Sequence, residues 1–251
     1  CVLGGRVDLA VAPEDGVGPA REHPAAQDVR TAVGAVVDLG GDDVLVLPAG
    51  GSEDDLQVRF GALAGHDVHA PTLPGHGTDA AQLLTVTWSD WVATAGGWPA
   101  DVVVGQSMGA MLALALAATG ACRAVVAINP PAADPDALDG LQWQLDRGHQ
   151  WVDGPPLAAG EEGYTRLPLV ALLEMVQGSL AIDARAITVP VLLVTSALDE
   201  VVDPYSADIV AGSLPGPVTR VRLEHSGHVA TLGPEQPLLV TAIEDFLRQS
   251  R

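Results

Sequence analysis

The stretch that decides the fold is Val102-Val-Val-Gly-Gln-Ser-Met-Gly109, which leads into an apolar run ending at Ala118. Val102–Val104 is typical of a short buried strand, and residues 108–118 are apolar almost all round, as in a helix packed on a sheet. The two glycines allow a sharp turn, so that Ser107 adopts a strained conformation and projects its hydroxyl above the sheet. The helix then directs its free N–H groups to the same point. The alternative is a glycine-rich turn whose serine merely caps the helix.

Short apolar runs on both sides of this unit predict further strands. Such runs of Val, Leu and Ile, alternating with helical segments, are typical of a parallel sheet covered on both faces. The sequence therefore predicts an α/β fold with a mostly parallel central sheet. The predicted strands are Val44–Leu47, Asp67–Ala70, Val102–Val104, Ala124–Ile128 (closed by Asn129-Pro-Pro131), Val191–Val194 and Thr219–Leu223, followed by a closing helix over Pro237–Gln249.

The alternation of predicted strands and helices divides the chain into three parts. Residues 43–131 and 188–251 carry the regular pattern and form the expected core. Residues 132–187 contain a helical run, Leu167–Gln177, but no clear strand, and we expect an insertion over the sheet. Residues 1–42, which are rich in Pro and Gly, are expected to add edge strands. The length suits one α/β domain with an insertion.

A serine nucleophile needs a base, and the base needs an orienting acid. Asp199 follows the predicted strand 191–194, and His228 follows the strand 219–223, so both arrive at strand ends where ligand sites of parallel sheets lie. Glu200, Asp203 and His225 are neighbouring alternatives. Asp203 precedes Pro204 and is expected to cap the next helix. His225 is expected to close the turn after the strand, whereas Gly227 places His228 at a flexible, exposed turn.

Five sequence blocks together resemble a known family. In this order and spacing they are similar to the bacterial monoacylglycerol lipase and thermostable carboxylesterase group of α/β-hydrolases, over residues 43–250. The resemblance implies that Ser107 is the nucleophile, Asp199 the orienting acid and His228 the base. It also implies that residues 132–187 form a small cap that shapes the acyl and alcohol pockets. The blocks are Leu73-Pro-Gly-His-Gly-Thr78, Trp88-Ser-Asp-Trp-Val92, Gly105-Gln-Ser-Met-Gly109, Leu198-Asp-Glu-Val-Val-Asp-Pro204 and Ser226-Gly-His-Val-Ala-Thr-Leu232.

The sequence departs from that family at the end of the first core strand. A His-Gly-aromatic run normally stands there, and one of its backbone N–H groups forms half of the oxyanion hole. Here the stretch is Leu47-Pro-Ala-Gly-Gly51. A backbone donor needs no particular side chain, so Ala49 supplies the N–H in a gapless reading and Gly50 does so after a one-residue shift; proline has no N–H to give. Met108 is expected to supply the second donor.

The favoured hypothesis is a serine hydrolase that cleaves small to medium acyl esters or monoacylglycerols. Five residues of the insertion are candidates for substrate binding and equally for ordinary packing: Trp143, Trp151, Leu167, Leu169 and Met175. The altered loop 47–51 and the unusual N-terminal segment motivate an alternative, a biosynthetic thioesterase, cyclase or acyltransferase with a non-water acceptor. A second alternative is a decayed α/β-hydrolase that only binds.

Composition limits the partners. The chain has 251 residues with 32 acids and 12 bases, for a formal charge of −20. All bases are Arg, which excludes a lysine base, and such a charge disfavours nucleic acid, anionic lipid surfaces and anionic substrates. No cofactor is expected, and His66 and His69 lack a third ligand for a metal site. We expect no membrane-spanning segment, a monomer or homodimer, and a bacterial cytoplasmic location; export or a lipid anchor on Cys1 is less favoured.

Overall fold

The computed structural model describes residues 43–47, 66–77, 79–154, 157 and 163–250. The predictions for residues 1–42 and for the loop 48–51 lie outside these described residues. Eight strands are described: β1 Asp43–Leu47, β2 Asp67–His69, β3 Val102–Gln106, β4 Ala124–Ile128, β5 Trp151–Asp153, β6 Arg166–Pro168, β7 Val191–Ser196 and β8 Val218–Leu223. The α-helices described are α1 Trp88–Gly96, α2 Met108–Ala118, α3 Pro135–Asp146, α4 Leu169–Leu180, α5 Ser206–Ser213 and α6 Gln236–Gln249.

Six of these strands form one sheet in the order β2-β1-β3-β4-β7-β8, and all their pairings are parallel. The α/β-hydrolase fold predicted from the sequence is confirmed. Every residue of β3 and β4 is buried, which explains why these strands read as continuous apolar runs rather than as alternating ones. Because all the strands run the same way, the turns after β3, β4, β7 and β8 lie along a single edge of the sheet.

Helices cover both faces of the sheet. Helix α2 is buried almost all round and packs with α1 in the cluster that includes Val103 and Val125. On the other face, Val102 and Val104 pack with α6. The apolar positions of α6 recur at intervals of three and four residues, so that one stripe of this helix packs on the face. These positions are Leu239, Ile243, Phe246 and Leu247.

The segment between β4 and β7 contains α3, β5, β6 and α4. The expectation that it holds no strand is wrong, because β5 and β6 pair antiparallel. Each strand has only three residues, and β6 ends at Pro168, so no period-two pattern was long enough to read. The segment has its own small core, in which Leu169 is fully buried against Leu141 and Val176.

Contacts between α4 and the start of α1 attach this segment to the sheet. A Cβ on Gly178 would lie 2.0 Å from the Trp88 ring, so the helix backbone and the indole are in direct contact. In addition, the Trp88 N–H donates to Glu174 at 2.9 Å. That bond uses one of the N–H groups that the first turn of α1 leaves free. Among the helices described, none is long and apolar enough to cross a membrane.

Candidate active site

Ser107 occupies the turn between β3 and α2 with φ 56° and ψ −121°, a conformation that residues with side chains rarely adopt. Its N–H donates to the Ile128 carbonyl at 2.9 Å, and its own carbonyl accepts the Ala110 N–H at 3.0 Å. The Ser107 side chain makes no hydrogen bond to the helix it precedes. The hydroxyl is therefore not used as a helix cap, which was the alternative explanation for a serine at this position.

The two glycines that flank Ser107 are required by close backbone contacts. A Cβ on Gly105 would lie 2.0 Å from the Gly109 carbonyl oxygen, and one on Gly109 would lie 1.9 Å from the Leu47 carbonyl oxygen. Real Cβ atoms essentially never approach other atoms so closely. The glycines thus let α2 begin directly against β3 and β1. Met108 is the first residue of α2, so its N–H belongs to the first turn, where helix donors have no partner within the helix.

His228 and Asp199 form the pair that the sequence proposed. His228 Nδ1 lies 2.9 Å from Oδ2 and 3.0 Å from Oδ1 of the Asp199 carboxylate. Oδ1 also accepts the N–H groups of Val201 and Val202, each at 2.8 Å. The Asp199 side chain is only 2% exposed. Three donors therefore hold this carboxylate in one orientation, in which it fixes the imidazole.

The neighbouring alternatives have other places. Glu200 and Asp203 are exposed, and Asp203 accepts the Tyr205 N–H at 2.9 Å in the turn before α5. His225 is also exposed. The expected exposure of the turn at Gly227 is wrong for His228, which is only 8% exposed and whose Nδ1 meets the buried Asp199 carboxylate.

Glu235 anchors the turn that carries His228, a role the sequence did not suggest. Its carboxylate accepts the N–H groups of Glu224 and His225 at 3.0 and 2.8 Å and the Ser226 hydroxyl at 2.8 Å. Desolvation acts to raise the pKa of Glu235, but these hydrogen bonds outweigh it, so the pKa lies below its usual value. A glutamate eleven residues after Glu224 carries no local signal of this contact.

The blocks around Leu73 and Trp88 make structural hydrogen bonds. The Pro74 carbonyl accepts the Trp91 indole N–H at 2.9 Å, and the Gly75 carbonyl accepts the Tyr164 hydroxyl at 2.7 Å. Gly75 has φ +79°, which explains the glycine. Burial lowers the pKa of His76 in the same loop, even though the Pro74 and Leu73 carbonyls act to raise it, which keeps this imidazole neutral at pH 7.

The five candidate substrate residues divide by burial. Leu169 is fully buried in the inserted segment's own core. Trp143 is 55% exposed and lies under the Arg147 guanidinium, 3.6 Å from the ring centroid. Trp151 is half-buried near Arg166. Leu167 and Met175 are partly buried and pack against both the main core and that of the inserted segment. Ala49 and Gly50 lie outside the described residues.

Metal-ligating side chains do not gather in the described part of the chain: no group of three His, Cys, Asp or Glu residues there is placed to hold an ion. His69 instead packs on Trp98, with ring centroids 5.3 Å apart.

Known proteins are similar to this chain in sequence and architecture. A model of the alpha/beta hydrolase family matches residues 44–242. The chain is 32% identical over 203 residues to a thermostable monoacylglycerol lipase from Bacillus sp. (strain H-257), covering 74% of this chain and 80% of the relative. A solved chain described with LipS and LipT, two metagenome-derived lipolytic enzymes, has a TM-score of 0.73 and 26% identity, covering 82% of this chain and 93% of that one.

A second solved structure, the monoacylglycerol lipase of Paleococcus ferrophilus, has a TM-score of 0.65 at 17% identity and covers 84% of this chain and 97% of its own. At that identity the likeness concerns the fold alone. The family match spans β1 to α6, the same elements that build the sheet and carry Ser107, Asp199 and His228. This chain belongs to the alpha/beta hydrolase family.

Proposed function

We propose that this protein is a serine hydrolase that cleaves neutral carboxylic esters, namely small to medium acyl esters or monoacylglycerols, through an acyl-enzyme on Ser107. One observation carries the proposal: His228 Nδ1 lies 2.9 and 3.0 Å from the two oxygens of the buried Asp199 carboxylate, along the sheet edge that also presents Ser107. A serine in a strained turn, with a hydroxyl not used as a cap, is what a nucleophile requires.

In this mechanism the Asp199 carboxylate accepts a hydrogen bond, so the imidazole proton is on Nδ1 and the lone pair is on Nε2. Nε2 removes the proton of the Ser107 hydroxyl as its oxygen attacks the ester carbonyl. The tetrahedral oxyanion accepts the Met108 N–H, with Ala49 or Gly50 as the second donor. Collapse breaks the bond to the alcohol, which leaves with the proton from Nε2. Water then attacks the acyl group and gives its proton to Nε2; as the tetrahedral species collapses, the bond to the Ser107 oxygen breaks, that oxygen takes the proton back from Nε2, and the carboxylic acid leaves.

The substrate class is supported by similarity and charge. The Bacillus relative is a monoacylglycerol lipase, and the net charge of −20 disfavours anionic esters. We assign the inserted segment 132–187 to a cap over the site. Within it, Leu167 and Met175 are the best placed to contact an acyl chain, since they lie between the two cores, whereas Leu169 is fully buried.

The test is hydrolysis of p-nitrophenyl esters of increasing acyl length and of a monoacylglycerol, with wild type compared with Ser107→Ala and Asp199→Asn. Loss of the nucleophile lowers kcat by about 10⁴-fold or more. Loss of the carboxylate costs about 10⁴-fold, because the imidazole then adopts the wrong tautomer. A fluorophosphonate probe should label wild type at Ser107 and should leave Ser107→Ala unlabelled.

Ser213→Ala is the matched control, because Ser213 hydrogen-bonds only within α5, to the Val210 carbonyl, and should keep wild-type activity. Equal inactivity of wild type and Ser107→Ala, with no probe labelling, would refute the enzyme proposal and favour a binding protein. Probe labelling and acylation without release of the acid to water would instead refute ester hydrolysis and favour transfer to another acceptor.

A further inference from the structure

Asn129, the residue that follows β4, joins the turns that carry Asp199 and His228. It is only 3% exposed, and its side chain makes three hydrogen bonds. Oδ1 accepts the Ser196 N–H at 2.8 Å, and Nδ2 donates to the Ser196 hydroxyl at 3.0 Å and to the His228 carbonyl at 2.8 Å. The orientation of the amide is unambiguous, because a backbone N–H only donates and a carbonyl only accepts.

Each of these bonds fixes part of the candidate site. Ser196 ends β7 and accepts the Asp199 N–H at 3.4 Å, so it begins the turn that holds the carboxylate. The His228 carbonyl belongs to the residue whose ring meets that carboxylate. The residue before Asn129, Ile128, accepts the Ser107 N–H at 2.9 Å. Ile128 and Asn129 together therefore contact the backbone of Ser107, the backbone of His228 and the start of the turn that carries Asp199.

Asn129 also has an unusual backbone conformation, with φ 48°. Among residues with side chains, Asn and Asp tolerate this left-handed region best. The conformation places the Asn129 N–H on the Val194 carbonyl at 2.9 Å while the amide reaches across β7. Few side chains satisfy both demands: a left-handed backbone, and a short amide with an acceptor and two donors.

We propose that Asn129 is a positioning residue: its amide sets the separation between the Asp199 and His228 turns and so holds the imidazole against the carboxylate in the productive orientation. The expected effect on kcat rests on the proposed function, whereas the expected effect on the position of the imidazole does not. Small displacements of catalytic groups cost about 10²-fold in rate. The effect therefore falls on kcat rather than on substrate binding.

Two variants separate the side chain from the backbone. Asn129→Gly keeps the left-handed conformation and removes all three side-chain bonds. Asn129→Asp keeps the shape and the acceptor for the Ser196 N–H, but it places an oxygen against the His228 carbonyl. We expect kcat to fall by about 10²-fold in both variants, with KM changed less than about threefold. If the aspartate variant does not fold, the glycine variant decides.

A second readout does not require turnover. In the Ser107→Ala background, we expect the proton between His228 Nδ1 and Asp199 to give a downfield proton NMR signal that is protected from solvent exchange. Asn129→Gly should broaden or abolish this signal. Val126→Ala is the control for stability, since it removes two methyl groups from the fully buried core of the same strand without removing a hydrogen bond. It should keep both the signal and the kcat.

The inference is overturned if Asn129→Gly keeps kcat and the downfield signal while only its Tm falls, or if Val126→Ala loses both to the same extent. Failure of the proposed function would give a different result, because wild type would then not hydrolyse esters. The NMR comparison of Asn129→Gly with the Ser107→Ala protein that carries it would still decide whether Asn129 positions the imidazole.

Discussion

Gly109→Ala is the substitution for which this fold makes the sharpest prediction. The added methyl carbon would lie 1.9 Å from the Leu47 carbonyl oxygen, 2.7 Å from the Leu47 carbonyl carbon and 3.2 Å from its Cβ. Two of these three atoms are backbone atoms of a central strand, which cannot rotate away as the end of a flexible side chain does. Relief requires α2 and β1 to separate.

The size of that separation sets the expected cost. Ordinary van der Waals contact begins at 3.4 Å, so the helix must retreat from the strand by about 1.5 Å. Overpacking a core costs about 1–3 kcal/mol and occasionally more. We expect a loss of about 3 kcal/mol or more in the free energy of unfolding, because backbone is obstructed and the displaced helix loses its packing. The better helix propensity of alanine, about 1 kcal/mol, does not compensate.

The assay is urea unfolding followed by circular dichroism, with the m-value checked for two-state behaviour. Gly140→Ala is the matched control: Gly140 lies inside α3, and apart from its own helix no described residue has an atom within 4 Å of its added Cβ. The same chemical change should there stabilise the protein by about 0.5–1 kcal/mol, because alanine restricts the unfolded chain and favours helix.

The two substitutions are therefore expected to have opposite signs. A Gly109→Ala protein with the wild-type midpoint would show that α2 does not approach β1 this closely. It would also remove the steric reason for a glycine two residues after Ser107. Retention of full ester hydrolysis by that variant would contradict the expectation that α2 must hold its position for Ser107 to react.

Two further predictions concern titratable groups. Folding lowers the pKa of Glu235, so its carboxylate stabilises the protein at pH values above its unfolded pKa, and this contribution is lost as the pH falls through the lower folded pKa. The Tm of wild type should therefore fall more steeply with acidification below pH 4.5 than the Tm of Glu235→Gln. Parallel curves of Tm against pH would contradict the anchoring role. Burial raises the pKa of Cys122 to about 11, so in a Cys1→Ser background this thiol should resist a disulfide reagent near neutral pH and react only in urea; rapid labelling of the folded protein would contradict its burial.

Local pattern determined much of this architecture. The run from Val102 to Ala118 predicted a strand, a serine turn and a buried helix, and those elements are found as β3 and α2. The composition of a strand and the glycines of a turn involve only a few consecutive residues, so both can be recognised in the sequence. The confirmed fold class follows from the same short-range signals. The prediction of no strand in residues 132–187 was wrong because β5 and β6 are too short to show a period.

The sequence favours Asp199 over Asp203 and His228 over His225 from their positions, but it does not show that the two side chains meet. In the fold, His228 Nδ1 lies 2.9 Å from the Asp199 carboxylate, whereas Asp203 and His225 are exposed. The sequence marks Asn129 only as the residue that ends a strand, yet its amide reaches Ser196 and His228, which are 67 and 99 residues away. The sequence by itself thus determined the strands and helices of the core and the edge of the sheet that carries the candidate site. Only the tertiary structure decided which polar groups meet there, because hydrogen bonds between distant turns depend on strand register and packing, for which no local periodicity exists.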